Sequence, residues 1–195
     1  MTAPTRDLAP LPPLRRSVAW RGVARCVATT AGMLRRRAVH QPTRHLGRVL
    51  TFANGTHGRV YRETAVEVAP RDPCVLVVSF RLRLVRGRAH ALFRAESVLN
   101  TPLFVGFPGF VSKLWLAHDE NQLYRGLYEW DGAAPAEHYA RSLWRVLELV
   151  SEPGSIAYRV LPGLRREDVL SEPAVLERWA AVDGGREPWW RLVAA

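Results

Sequence analysis

Trp115, Tyr128 and Trp130 are residue types that wall a dry pocket, and Asn100, His118, Arg125 and Tyr158 are types that orient or deprotonate a phenolic ligand. Arg125 leads the polar set. It projects from the middle of an apolar run, and a buried guanidinium needs a carboxylate or a ligand as its partner. His118 closes a strand-like run beside the polar turn Asp119-Glu120-Asn121-Gln122, which also suits a solvated turn residue. Tyr158 has an aromatic body with a hydroxyl to offer. Asn100, His118 and Arg125 therefore stand as catalytic candidates, and Trp115, Tyr128, Trp130 and Tyr158 as substrate-binding candidates.

Other chemistries lack their signatures. The six histidines, at 40, 45, 57, 90, 118 and 138, never pair at i, i+4, so no metal-binding constellation is expected. No GxGxxG or GxxxxGK loop is present to cradle phosphate, and no GxSxG elbow to present a nucleophile. The site is expected to need no cofactor and no metal.

Elements must hold these residues in place, and the chain reads as α+β. Residues 74–85 are a β-branched apolar strand, followed by a helix over 88–99 and an irregular stretch rich in Pro and Gly. Strands over 112–118 and 123–130 form a hairpin. A helix opens at Pro135 and stops at Pro153-Gly154, and a last strand covers 155–161. The order strand, helix, strand, strand, helix, strand is the split βαβ arrangement, which predicts a ferredoxin-like, four-stranded antiparallel sheet with both helices on one face.

That sheet should be apolar on both faces. Val75 and Val77 alternate with Leu76, Val78 and Phe80, and Leu123 and Leu127 with Tyr124, Tyr128 and Trp130. The second face is expected to be covered by a second copy of the chain, as a homodimer, or by a preceding β-hairpin. The hairpin is predicted over residues 46–70 around Asn54-Gly55, a dipeptide whose residues tolerate positive φ.

The formal charge is +10, yet residues 1–46 hold nine arginines and one acid, Asp7, for a net +8, which leaves the remainder near neutral. Lys113 is the only lysine, a bias read as coding-sequence composition rather than phosphate recognition, so no nucleic-acid partner is expected. Residues 1–45 divide into a Pro-rich, unstructured lead-in to about residue 14 and an amphipathic helix over 15–37. The helix either docks on the chain's own domain or partner, or makes weak contact with a membrane surface. Arg21 and Arg25 interrupt its apolar residues, so neither a membrane span nor a signal peptide is expected. With Cys26 and Cys74 unmatched to any CxxC motif, a reducing cytoplasmic setting is expected. Residues 164–195 are expected as a helical tail beyond the domain at 73–163.

Pro108-Gly109-Phe110, then Lys113-x-Trp115, then Gly126-x-Tyr128 resembles the YdhR-like monooxygenase family. The resemblance covers residues 74–163 and is strongest across 108–130. It implies a dimeric α/β barrel and a cofactor-independent monooxygenase acting on a small aromatic or polycyclic compound in a barrel cavity. The alternative is a dimer that binds a small hydrophobic ligand without catalysis, anchored by its basic N-terminal helix.

Overall fold

A computed structural model describes residues 11–83, 101–182 and 188–195. The helix expected over 88–99, together with Asn100, lies outside them. Four consecutive strands form the heart of the fold: β4 (Pro73–Arg81), β5 (Phe110–Leu116), β6 (Leu123–Asp131) and β7 (Ala157–Pro162). They lie side by side in the order β7-β4-β6-β5, all antiparallel, which is the ferredoxin-like order.

The expectation of four strands is corrected by the edge of β5. An exposed edge offers unpaired backbone donors and acceptors, and the hairpin fills it. β3 (His57–Val66) pairs with β5, β2 (Val49–Phe52) with β3, and the C-terminal β8 (Leu192–Ala194) with β2, while β1 (Val39–His40) joins β3, giving eight strands. The hairpin turn is the one the sequence predicts. Gly55 has φ +80°, and the Thr56 amide and hydroxyl both donate to Asn54 Oδ1.

Among the described residues, two helices cover one face of the sheet. α2 (Ala133–Leu147) buries Ala136, Tyr139, Ala140 and Leu147, and α1 (Arg16–Arg35) packs beside it through Ala19, Val23, Cys26 and Thr30. The fit of α1 is close. A Cβ on Gly106 would collide with the Cys26 carbonyl oxygen, and Cys26 Sγ donates to the Pro102 carbonyl at 3.2 Å. The arm is thus part of the domain, and residues 11–14 are no loose lead-in: Arg141 and Arg145 of α2 donate to the carbonyls of Pro12 and Leu14, each at 2.8 Å.

The opposite face is covered from within the chain. Val75, Val77, Leu114, Leu127 and Leu161 point into a second core with Leu50 and Phe52 of β2. The C-terminal tail closes this core with α3 (Arg166–Ser171), a 3-10 turn (Pro173–Leu176), α4 (Glu177–Val182) and β8, burying Leu170, Leu176, Trp190 and Leu192. The tail is an integral layer, and the demand of a two-sided apolar sheet is met without a second copy.

Candidate functional site

The helix-covered face holds a cavity of about 660 Å³ between the sheet and α2. Its wall is aromatic: Phe80 from β4, Trp115 from β5, Tyr124 and Tyr128 from β6, Tyr139 from α2, Tyr61 from β3 and Phe104 from the turn before β5. Leu143, Val146 and Leu147 of α2 complete one side. A volume of a few hundred Å³, mostly apolar with few polar groups, is the form of a small-molecule site.

Two β-bulges decide which side chains face this space. On β5, Phe110 pairs with Trp130 but Ser112 pairs with Glu129, so Val111 is an extra residue and the side-chain alternation changes phase. Phe110, Lys113 and Trp115 consequently share the aromatic face, while Leu114 and Leu116 pack into the core under the tail, Leu116 also bordering the cavity. On β3, Val60 pairs with Leu116 and Arg62 with Trp115, so the inserted Tyr61 and its neighbour Arg62 both reach the Trp115 side. Without these insertions the strands would present a different set.

Lys113 is the polar centre of the site. Its Nζ lies 3.1 Å from the Trp115 ring centroid, 4.7 Å from that of Phe104 and 4.8 Å from that of Tyr128. No carboxylate among the described residues reaches it within ion-pair distance. Burial, reinforced by the nearby Arg62 guanidinium, pushes the amine well below the usual lysine range. Burial alone likewise lowers Arg62, whose Nη2 donates to Thr101 Oγ1 at 2.6 Å.

The remaining wall is held by hydrogen bonds. Trp115 Nε1 donates to Thr64 Oγ1 at 3.1 Å, and the Tyr139 hydroxyl donates to the Tyr128 hydroxyl at 3.1 Å. Burial raises both phenols above the usual tyrosine range, so they stay neutral. Tyr128 lies back across Gly126, where an added Cβ would sit 2.5 Å from its ring. Gly109 serves the backbone instead, turning at φ +84° where a Cβ would sit 2.8 Å from the Asp131 carbonyl oxygen.

Of the residues singled out in the sequence, Trp115 and Tyr128 line the cavity. Trp130 is fully buried beneath it, packed on Phe110 and Tyr139. Tyr158 points to the outer end of α2, where it packs on Trp144 and its hydroxyl donates to the Leu11 carbonyl at 3.2 Å. His118 lies past the end of β5, edge-on to Tyr124. Arg125 borders the cavity through its strand, but its guanidinium is on the tail side. There it donates to Asp119 Oδ2 at 2.6 Å, to Thr56 Oγ1 at 3.0 Å and to the Trp189 carbonyl at 3.1 Å, and lies 4.2 Å from the Phe52 ring centroid. Its carboxylate partner was six residues away in the chain, in the β5–β6 turn. Asn100 is outside the described residues.

Lys113, Tyr61 and Phe104 join the site unannounced by sequence periodicity, while Tyr139 enters it from the apolar stripe that the spacing of the Pro135 helix predicts. A signal for Lys113 did exist: it is the one lysine of the chain and sits inside Gly-Phe-x-x-Lys-x-Trp. Among the described residues, no group of three or more His, Cys, Asp or Glu is placed to hold a metal ion, and no helix is long and apolar enough to cross a membrane.

No protein-family model and no curated protein matches the chain. Among solved structures, an anthrone oxidase-like protein aligns at 14% identity with a TM-score of 0.37, over 55% of this chain and 54% of its own. A ferredoxin-fold protein of Listeria monocytogenes 4b F2365, related to antibiotic biosynthesis monooxygenases, aligns at 12% identity with a TM-score of 0.35, over 64% of this chain and 90% of its own. The chain thus spans about half the length of the anthrone oxidase-like protein. The strand order β7-β4-β6-β5 defines the class: an α+β protein with a ferredoxin-like unit inside a larger antiparallel sheet.

Proposed function

We propose that the protein is a monooxygenase-type enzyme that acts on a small aromatic or polycyclic compound within this cavity and needs no bound cofactor. The observation that carries the reading is the aromatic wall around a single buried amine, which can hold a flat, electron-rich ligand against an apolar surface. The Pro108 to Tyr128 resemblance to the YdhR-like family supports it, because that motif spans β5 and β6 and contributes Lys113, Trp115 and Tyr128 to the cavity.

For an anthrone the overall change balances as anthrone plus O₂ to anthraquinone plus H₂O. The methylene carbon loses two hydrogens and gains one oxygen atom, and the other oxygen atom leaves as water. The protein's part is to exclude water, orient the ring system and remove a proton so that the carbanion can reduce O₂. Oxygen uptake with a panel of anthrones and hydroquinones tests this. Turnover that falls at least tenfold in Trp115→Ala is expected, and absence of uptake across the panel would rule out the oxygenase.

A second reading has its own observation. On α1, Trp20, Val27 and Leu34 recur at seven-residue spacing on the outward side, 44%, 40% and 49% exposed, next to the arginines of the same helix. An apolar stripe beside basic groups suits an anionic lipid surface, which would make the domain a peripheral ligand carrier. Flotation of the full chain with phosphatidylserine vesicles, compared with Trp20→Ser/Leu34→Ser, separates this from a helix that serves packing alone. Equal flotation of the two proteins would end it.

A further inference from the structure

Lys113 Nζ opens on the cavity from the centre of its wall, and the bulge at Val111 is what turns it there. Among the described residues, the ionisable side chains that line this space are Tyr61 of β3, Tyr124 and Tyr128 of β6, Tyr139 of α2, and Arg83 just beyond β4, with the Arg62 guanidinium behind them at 5.0 Å from the Trp115 ring centroid and the Arg125 guanidinium turned to the tail side. None of them is a carboxylate. Among the described residues the site therefore offers an amine and no negative charge, whereas three ring faces stand ready to stabilise an ammonium once one forms.

From this arrangement we infer that Lys113 is the proton acceptor of the cavity, taking the proton of an acidic aromatic ligand, such as a phenol or an enolisable aryl ketone, and holding the resulting anion as its counter-ion. The O–H or C–H bond breaks heterolytically with its electron pair left on the ligand, and the Nζ lone pair forms the new N–H bond. No oxidant or reductant is involved. An ammonium alone in this cavity is penalised by desolvation, and so is an anion alone; formed together they neutralise each other at short range. The expected low value for the free amine agrees with this. The cavity accordingly selects ligands by acidity as well as by shape. An aromatic compound with an ionisable proton binds better than its methylated isostere.

This inference rests on the reading of the cavity as an aromatic-ligand site, and the test separates the two. The probe is 2-naphthol, whose naphtholate has its own absorption band, against 2-methoxynaphthalene, which has no acidic proton. With the wild-type chain the bound naphthol is expected to show the naphtholate band at least two pH units below its free transition, and to bind at least tenfold more tightly than the methoxy compound. Lys113→Met keeps the length and apolar volume of the side chain. It should lose the band and the preference while still binding 2-methoxynaphthalene, which also certifies that its cavity is folded. A bound naphthol that keeps its neutral spectrum, or an undiminished band in Lys113→Met, overturns the assignment of the base. If neither naphthalene binds the wild-type chain, the aromatic-ligand reading falls and this inference with it. A naphtholate band without oxygen uptake on any anthrone supports Lys113 as the acceptor and removes the oxygenase alone.

Discussion

The two faces of the central sheet treat buried charge in opposite ways. Under the tail, Arg125 meets Asp119, and Arg166 of α3 donates at 2.7 Å to Glu63, whose other carboxylate oxygen lies 2.9 Å from His45 Nδ1. These groups tie the tail and the turns to the strands. Under α1 and α2, the lone lysine is wrapped in aromatic rings and no described carboxylate answers it. A buried charge with its partners in place is cross-bracing. A buried amine facing a cavity is, on the reading proposed above, a group kept for a ligand, because burial without a counter-charge costs stability.

The tail side should break hardest. Arg125→Ala leaves the buried Asp119 carboxylate without its counter-charge, held by the backbone amides of Asn121 and Leu123, and is expected to cost roughly 3–5 kcal/mol in urea unfolding, whatever it does to activity. If ligand affinity falls while stability is unchanged, the division between the faces is wrong. Next comes Trp190→Ala, which opens a gap at the centre of the second core. It should cost about 3 kcal/mol and raise binding of a hydrophobic dye, since Leu50, Phe52 and Leu192 lose their cover.

On the cavity side the effects on folding are smaller. Gly126→Ala places a methyl against the Tyr128 ring and should cost about 1–3 kcal/mol while pushing that ring into the ligand space. A weaker affinity for 2-methoxynaphthalene, with both proteins fully folded, would confirm it.

The smallest loss is expected from Lys113→Met, which should be at least as stable as wild type at pH 7, with a gain on the order of 1 kcal/mol. Burial lowers the folded-state value of this amine, so between that value and the unfolded one, about 10.4, the unfolded chain binds more protons. Wild-type stability attributable to Lys113 thus rises with pH across that window, and the advantage of Lys113→Met closes as pH approaches about 10.4. A gap that widens instead would mean that the amine is charged and paired in the folded state.

Much of the frame was legible along the chain. The strands over 112–118 and 123–130, the Pro135 helix, the Asn54-Gly55 hairpin and the amphipathic helix near residues 15–37 all appear within a few residues of their expected places, because their periodicity and turn residues act locally. The tail was harder. Leu164, Val169, Leu170 and Trp190 read as a loose appendage until a partner surface exists for them. The site was only half legible. Tyr128 follows from strand alternation and Trp115 from its residue type and the Lys-x-Trp motif, but the same reading also nominated Arg125 and Trp130, which the fold sends under the tail and beneath the cavity floor.

By itself the sequence determined the order of elements, the two-sided apolar character of the sheet and the concentration of arginine in the first 46 residues, since each depends on neighbours along the chain. Only the tertiary structure decided which edge the hairpin fills, that the tail closes the second face, and that Lys113 stands inside an aromatic cage. The last of these turns on the β-bulge at Val111, and the approach of Tyr61 to the same cage on the one in β3. A bulge is a mismatch between two paired strands, one residue opposite none, and it has no meaning until the strands have met.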